Sequence, residues 1–485
     1  MKDSEQHNSA GHYQVAPAGA RNKQSFFTCS LVAVYSLVLT SLAVLVVGYG
    51  PTYVPNIAIT IAIVIAASIA AAKYPSHTIS WYAATYLPLK VLATNSVIGY
   101  TTPTYALLAI AIVMYFTCRK LPQRSPRLPG QSAAWLFAAV ILAQLPRTTD
   151  PAGALVVLCN ASCFALMLCV LPKLSEYAIY RTLQYFAFGV LGAAPILWFA
   201  TASDPRLGES LGLNANDLAC VSGAALLLFT SKLVIPGSKI AVLIIGTMGL
   251  IFLAETGSRT SFISFIGCYS LFRVLQGRGI KARFKAAAIV LLFFVAASTL
   301  VVKFGSASVS ERMMSPFTED FDQSSAIRAA MWVYLWQQIP NYWEFGTGLQ
   351  NVMRVTEQSG MRKLVFVGDS TKDPVGFQSH NLYLTAILEL GAVGLGTMLC
   401  WQLAVIKTGI ISASSHPLLL PMFLFFTIHG FFQGLNFDGL MALFVAGSYA
   451  AWGVNCRLLR AALRRAPALQ DPARRPDRGA LGAQA

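Results

Sequence analysis

The sequence predicts an all-α polytopic membrane protein with about 12–14 transmembrane helices and one large external segment that contains amphipathic helices. Of its 485 residues, 55% are hydrophobic and only 12% are charged, whereas a soluble domain carries about 25% charged residues. Apolar runs of roughly 20 residues recur along the chain, and each is long enough to cross the hydrocarbon as a helix. Arginine and lysine concentrate in a few short segments between these runs, as the positive-inside rule expects.

The apolar runs define the candidate spans in chain order. The run at 79–95 contains Pro88 and Lys90, and the run at 133–146 is short, so these two are the weakest of the set. The full set is 26–49, 54–72, 79–95, 97–116, 133–146, 152–171, 178–200, 215–231, 239–256, 260–276, 284–303, 382–405, 417–435 and 438–459.

Three basic segments, 119–127, 273–285 and 457–465, set the orientation. The positive-inside rule places all three in the cytoplasm. Fourteen alternating spans also put them on one side together, whereas deleting any single span would break that agreement. The same alternation places residues 304–379 outside, together with the short segment at 256–260.

We therefore expect a cytoplasmic tail at 1–25, a transmembrane helix bundle at 26–303, an external loop with interfacial helices at 304–379, C-terminal transmembrane helices at 380–459 and a basic, disordered cytoplasmic tail at 460–485. The net charge of +16 lies mainly in loops and tail, so it does not indicate a nucleic-acid partner. The nine cysteines lie almost wholly in or beside apolar runs, with no CxxC pair and no zinc spacing, so we expect no disulfide framework.

The external loop contains one predicted amphipathic helix, at 325–336. Met331, Leu335 and Ile339 share one face, a spacing that suits a helix lying at the membrane interface. Pro340 is predicted to end this helix.

His380 precedes the apolar run that starts at Leu382. Imidazole titrates near neutrality, so it can accept a proton from a hydroxyl group at physiological pH. A lone histidine is more often structural, but this one lies at the predicted outer mouth of a helix, with Tyr383 one turn on and Glu389 further into the span. His380 is therefore the leading catalytic candidate, whereas His429 falls in mid-span and is predicted to be a packing or hydrogen-bonding residue.

Arg259 and Arg328 are candidate phosphate-binding residues, because the planar fork of guanidinium donors suits phosphate oxygens. Arg259 follows Gly257 and Ser258, which would let a phosphate group approach the backbone, and it opens a helix whose N–H groups attract anions. Alternatively, Arg259 snorkels to water or pairs with Glu255, and Arg328 occupies a solvated helix face.

A third polar element, at 206–217, precedes a predicted span. Its Arg206 would add positive charge to the same cavity, whereas Asn216 or Asp217 would simply cap the following helix. No Walker loop and no GxSxG elbow occurs in the sequence.

Four patches in the second half of the chain resemble, in order and spacing, the O-antigen ligase and polymerase superfamily. Singly each is weak, and together they are specific, while the first half contributes only hydrophobic spans. The patches are the element at 206–216, Gly257-Ser258-Arg259-Thr260, the helix at 328–332 followed by Pro340 and Gly346-x-Gly348, and Ser379-His380-Asn381-x-Tyr383-Leu384 leading to Glu389-Leu390-Gly391.

The resemblance implies glycan transfer from undecaprenyl diphosphate to an acceptor hydroxyl group, with inversion and without a metal or cofactor, on the periplasmic side of the bacterial inner membrane. His380 would be the general base, and Arg259 and Arg328, assisted by Arg206, would hold the diphosphate. Both termini would be cytoplasmic. The supporting residues would be Ser258, Asn381, Tyr383 and Glu389.

The acceptor distinguishes the alternatives. A ligase would use lipid A–core, which the moderate size of the 304–379 loop favours. A polymerase would use a second lipid-linked repeat of O-antigen, capsule or exopolysaccharide. A protein-glycosylating oligosaccharyltransferase would be expected to carry a long C-terminal external domain, and a transporter of lipid-linked sugar would not need His380 at the cavity mouth.

Overall fold

The computed structural model describes residues 31–43, 54–93, 102–119, 130–174, 176–201, 213–230, 239–277, 323–358, 380–411 and 417–430, with isolated positions between them. These residues form helices and no strand, which confirms the predicted all-α class. The helices are α1 (Leu31–Ala43), α2 (Val54–Lys73), α3 (Pro75–Ala93), α4 (Thr102–Cys118), α5 (Gln131–Gln144), α6 (Pro151–Val170), α7 (Glu176–Ala200), α8 (Ala215–Thr230), α9 (Lys239–Glu255), α10 (Arg259–Gln276), α11 (Gln323–Tyr342), α12 (Val352–Gln358), α13 (Leu382–Ile411) and α14 (Leu419–Gly430).

Three of these helices contain stretches long and apolar enough to cross a membrane, namely Gly153–Val170, Arg181–Ala200 and Leu382–Ile411. Shorter apolar helices accompany them throughout the described part of the chain. The protein is therefore an all-α membrane protein. The predicted span at 438–459, most of the span at 284–303 and both predicted tails lie outside the described residues.

Helix α7 packs closely against α3 and α1 through small residues. Gly189 lies against Ala84 of α3, and Gly192 lies against Ala33 of α1, so that a side chain at either glycine would meet the neighbouring backbone. The Ser36 hydroxyl also donates a hydrogen bond to the Gly189 carbonyl oxygen at 2.5 Å. Such small contacts allow helices to associate in lipid, where the hydrophobic effect does not distinguish side chains from acyl chains.

Lys90, which made the span of α3 weak in the sequence, is held by an ion pair. Its Nζ lies 3.2 Å from Oδ2 of Asp217 in α8, and its side chain is only 8% exposed. Asp217 therefore pairs with a distant helix, while Oδ1 of Asn214 accepts the Asn216 N–H at 2.9 Å and caps α8 instead. The ion pair joins the N-terminal half of the bundle to α8.

Helix α13 is broken at Gly391, whose φ of 71° and ψ of −171° are not helical. The sequence predicts a span at 382–405, which lies within the apolar stretch Leu382–Ile411, but the helix there is interrupted at this residue. The Tyr383 hydroxyl donates to Oε1 of Gln402 at 3.0 Å, although a continuous helix would separate these residues by about 28 Å along its axis. The first segment of α13 (382–390) therefore folds back along its second segment (392–411).

A strap, residues 342–350, closes this break. The Thr347 N–H donates to the Leu388 carbonyl at 2.7 Å, and the Ala392 N–H donates to the Trp343 carbonyl at 2.7 Å. In a continuous helix the Leu388 carbonyl and the Ala392 N–H would pair with each other. The strap thus satisfies the two polar groups that the break separates, as a broken helix in a membrane protein requires.

Candidate active site

His380 lies two residues before the start of α13 and has a φ of 47°, which is uncommon for a residue other than glycine. Asn381 fixes the start of the helix, because its Oδ1 accepts the N–H groups of Tyr383 and Leu384, both at 3.0 Å. A left-handed backbone at a non-glycine residue costs about 1–3 kcal/mol. The cap therefore helps to hold His380 in one orientation.

The Arg328 guanidinium acts electrostatically on His380. Burial first, and the positive charge of Arg328 second, lower the pKa of His380 from its ordinary value of 6.5 to about 4. The imidazole is therefore neutral at physiological pH and is able to accept a proton. The structure thus brings these two predicted site residues together.

Arg328 reaches this position because α11 packs along the first segment of α13. Met331 and Leu335 of α11 form a buried cluster with Ile387 and Leu388. The predicted shared face of Met331 and Leu335 exists, but it contacts protein, while Trp336 on the other side is 68% exposed. The helix also continues beyond the proline predicted to end it, as far as Tyr342.

Gly346 and Gly391, which belong to two of the motifs that carry the resemblance, lie on opposite sides of one backbone contact between the strap and α13. Gly346 in the strap has a φ of 67°, and a side chain there would collide with the backbone of Glu389. Gly391 has a φ of 71°, and a side chain there would collide with the Glu344 carbonyl. Glycine is therefore required at both positions, for its conformation and for its lack of a Cβ.

The strap is also tied to the segment between α5 and α6, which sequence reasoning missed. The Asn351 side chain donates to the carbonyls of Arg147 at 2.8 Å and Thr347 at 2.7 Å, and its Oδ1 accepts the Thr149 hydroxyl at 2.6 Å. Gln144 adds a bond from Nε2 to the strap at the Phe345 carbonyl, 2.8 Å long. The only signal in the sequence is a polar loop beside a weak span.

Glu389 lies beside the break and not further into the span than His380, because the first segment of α13 folds back. Its side chain is 3% exposed, and its Oε1 accepts the Val352 N–H at 3.5 Å, while Oε2 has no hydrogen-bond partner among the described residues. Glu389 therefore contacts the start of α12 beside the break, and its predicted supporting role stays a prediction.

The turn before Arg259 is the second part of the site. Gly257 has a φ of 63°, and Ser258 occupies the N-cap position of α10 without its side chain capping the helix. Instead the Ser258 hydroxyl donates to the Ser261 Oγ at 3.1 Å, and Ser261 Oγ lies 3.1 Å from Nδ1 of His429. Arg259 is therefore the first residue of a helix whose entry is fixed by α14.

The His380 segment and the Arg259 turn both contact the C-terminal end of α14. A side chain at Gly430 would lie 3.1 Å from Cδ2 of Leu382, which is two residues after His380. His429, the preceding residue, contacts the Arg259 turn through Ser261. The His380 segment and the Arg259 turn thus rest on adjacent residues of one helix.

Arg206 lies outside the described residues, so its predicted role stays a prediction. Its neighbour Leu207 is described, and the Leu207 N–H donates to the Glu255 carbonyl at 3.4 Å, at the end of α9. The element that carries Arg206 therefore contacts the chain just before the Arg259 turn.

No group of three or more histidine, cysteine, aspartate or glutamate side chains that would hold a metal ion occurs within the described residues. The sequence contains an Asp-x-Asp pair, Asp320 and Asp322, in the external loop, and this pair lies outside the described ranges. Metal independence therefore stays a prediction.

Residues 241–399 match the model of the family described as O-antigen ligase. This range contains His380, Arg328, Arg259, the strap and the break at Gly391. The predicted resemblance to the O-antigen ligase and polymerase superfamily is therefore confirmed. No curated protein matches the chain.

Proposed function

We propose that the protein, as a membrane glycosyltransferase of the O-antigen ligase and polymerase type, transfers a glycan from undecaprenyl diphosphate to a hydroxyl group of lipid A–core. One observation carries the proposal: a half-buried, neutral His380 stands within electrostatic reach of Arg328, inside the range that matches the family. A neutral imidazole beside a fixed guanidinium supplies the base and the anion-binding group that this transfer needs.

In the proposed reaction, the acceptor oxygen attacks the anomeric carbon while the bond to the diphosphate oxygen breaks. His380 takes the acceptor proton, and the diphosphate leaves with the bonding electron pair. The transition state is oxocarbenium-like, and a single displacement inverts the anomeric configuration. A positioned base contributes about 10²–10⁴-fold, and each guanidinium aimed at the growing charge contributes about 2–4 kcal/mol.

Donor binding would also raise the basicity of His380. The positive charge of Arg328 is one of the two causes that lower the pKa of His380. A diphosphate bound at Arg328 offsets this charge, so that the histidine becomes a stronger base only when the leaving group is in place. The contact between Arg328 and the donor diphosphate thus couples binding of the donor to activation of the acceptor by His380.

Contacts between helices support a site on the periplasmic side. Alternation of the fourteen predicted spans places Asp217 and Ser261 at the outer ends of their helices, and Lys90 and His429 in the outer halves of theirs. The Lys90–Asp217 and Ser261–His429 contacts join these positions pairwise, as residues of one leaflet must. Both termini then lie in the cytoplasm, and the enzyme acts at the outer surface of the inner membrane.

The test offers the purified protein, in liposomes, an undecaprenyl-diphosphate glycan together with either lipid A–core or a second lipid-linked glycan. We expect lipid A–core to gain the mass of the glycan, with release of undecaprenyl diphosphate. A mass gain on the second donor would instead identify a polymerase. No gain on either acceptor would contradict glycosyl transfer.

The same assay tests metal independence. We expect full transfer in excess EDTA, because arginine and not a metal ion would stabilise the diphosphate. Loss of transfer that added Mg²⁺ or Mn²⁺ restores would assign a metal, and Asp320→Asn with Asp322→Asn would then test the external aspartate pair.

A further inference from the structure

A buried chain of hydrogen bonds runs from α14 to the Arg259 turn. His429 is 7% exposed and Ser261 is 0% exposed. Because the Ser258 hydroxyl donates to Ser261, the hydrogen of the Ser261 hydroxyl is available to donate to Nδ1 of His429, 3.1 Å away. This assignment makes His429 the acceptor at the end of the chain and leaves its proton on Nε2.

These hydrogen bonds explain why the Ser258 side chain does not cap α10. A serine at the N-cap position normally accepts an N–H group of the first helical turn. Here the hydrogen bond to Ser261 holds the Ser258 side chain in a different direction. The Ser258 side chain is therefore held by Ser261 of its own helix, and Ser261 in turn contacts His429 of α14.

His429 also has charged and apolar neighbours from other helices. Lys90 of α3 and Asp217 of α8, which form the partly buried ion pair, both act electrostatically on it. The next residue, Gly430, contacts Leu382 near His380. His429 is therefore held in place from several directions, which makes it a suitable anchor for the turn.

We infer that His429 is a positioning residue for glycosyl transfer: through Ser261 and Ser258 it holds the Arg259 turn, so that the Arg259 guanidinium stays directed at the donor diphosphate. This inference rests on the proposed function. A positioning error of about 1 Å can cost about 10²-fold in rate, so we expect the loss from removing His429 to be about 10–100-fold.

The test measures undecaprenyl diphosphate binding and the kinetics of transfer in purified variants. His429→Ala should weaken diphosphate binding and lower kcat/KM for the donor by about 10–100-fold, with the KM of the acceptor unchanged. His429→Asn should recover most of the loss, because its Oδ1 can accept in the place of Nδ1. Thr427→Ala is the matched control, since within the described part of the chain that hydroxyl bonds only to the Phe423 carbonyl of its own helix.

A double-mutant comparison separates positioning from a general loss of stability. If His429 acts through Arg259, then His429→Ala should cost little further in an Arg259→Ala background. An equal loss in both backgrounds, or unchanged diphosphate affinity in His429→Ala, would overturn the inference. Wild-type protein that binds no undecaprenyl diphosphate would instead contradict the proposed function, and the inference with it.

Discussion

At the residue scale, the protonation of His380 controls the chemistry in the proposed mechanism. Its pKa of about 4 means that the imidazole of the free enzyme is neutral at every pH well above that value. A base works in its neutral form, so activity should be lost only as the pH falls through the pKa. Burial is the larger cause of this low pKa and Arg328 the smaller, and only the second can be removed without repacking the site.

The first prediction concerns the pH dependence of kcat/KM. We expect its acid limb to lie well below pH 6.5 in the wild type, because the pKa of free His380 is lowered to about 4. Arg328→Gln should move the limb towards 6.5, since removing the positive charge favours the protonated imidazole. Arg354→Gln, on the exposed surface of α12, is the control and should leave the limb unmoved. A wild-type limb at 6.5, or a limb insensitive to Arg328→Gln, would contradict this account.

The second prediction concerns the fork of donors at Arg259. Arg259→Lys should lower kcat/KM for the donor by about 10-fold or more, because a point charge replaces two parallel hydrogen bonds. Arg273→Lys, in the last turn of the same helix, is the matched control. Initial rates at varied donor concentration give kcat/KM for both variants, and we expect wild-type kinetics in Arg273→Lys. Wild-type kinetics in Arg259→Lys would argue against a bidentate contact.

Single residues differ in how far the sequence could predict them. His380, Arg328 and Arg259 carry distinctive chemistry in short motifs, so they could be singled out. The contact of His429 with Ser261 could not, because it joins positions far apart in the chain. Sequence alone predicted hydrogen bonding for His429, which is confirmed, but gave no partner.

At the element scale, the broken helix and its strap position the residues proposed to act in glycan transfer. The first segment of α13 carries His380 at one end and the break at the other, and α11 lies along it with Arg328. Hydropathy predicts a continuous span here, because the residues on both sides of Gly391 are apolar. The break depends on a backbone dihedral angle and on the strap, and a single-sequence pattern contains neither signal.

The third prediction therefore concerns Gly391. Gly391→Ala should destabilise the protein by about 1–3 kcal/mol and lower transfer, because the residue needs a positive φ and has no room for a Cβ. Gly396→Ala in the second segment of α13 is the matched control, since among the described residues nothing beyond its chain neighbours and the nearby backbone of its own helix lies within 4 Å of the place that a Cβ would occupy there. Thermal unfolding in detergent gives the comparison, and equal midpoints for the two variants would count against the strap as the element that fixes the break.

The fourth prediction concerns the ion pair between α3 and α8. Lys90→Met leaves Asp217 partly buried without its partner and should cost about 1–3 kcal/mol, less than the roughly 3–5 kcal/mol for a fully buried pair, because Asp217 is 34% exposed. Adding Asp217→Leu should recover much of that loss. Unfolding of the two single variants and the double variant tests this, and additive losses would show that the pair does not act as a unit.

At the scale of the whole molecule, composition was enough to predict the fold class, and not the arrangement of the helices. The low charge and the apolar runs already excluded a soluble domain. Which helices touch depends on small residues such as Gly189 and on pairs such as Lys90 with Asp217, which are distant in sequence. The N-terminal half, which lies outside the matched range of 241–399, contributes through these contacts to the support of the site.

The central claim is that His380 performs chemistry on a donor that the arginines hold. The most direct measurement compares undecaprenyl diphosphate binding with glycan transfer in the wild type, His380→Ala and the control His77→Ala. We predict that His380→Ala binds the diphosphate with wild-type affinity and transfers at least about 10²-fold more slowly, while His77→Ala matches the wild type in both. Transfer by His380→Ala at the wild-type rate would contradict the account.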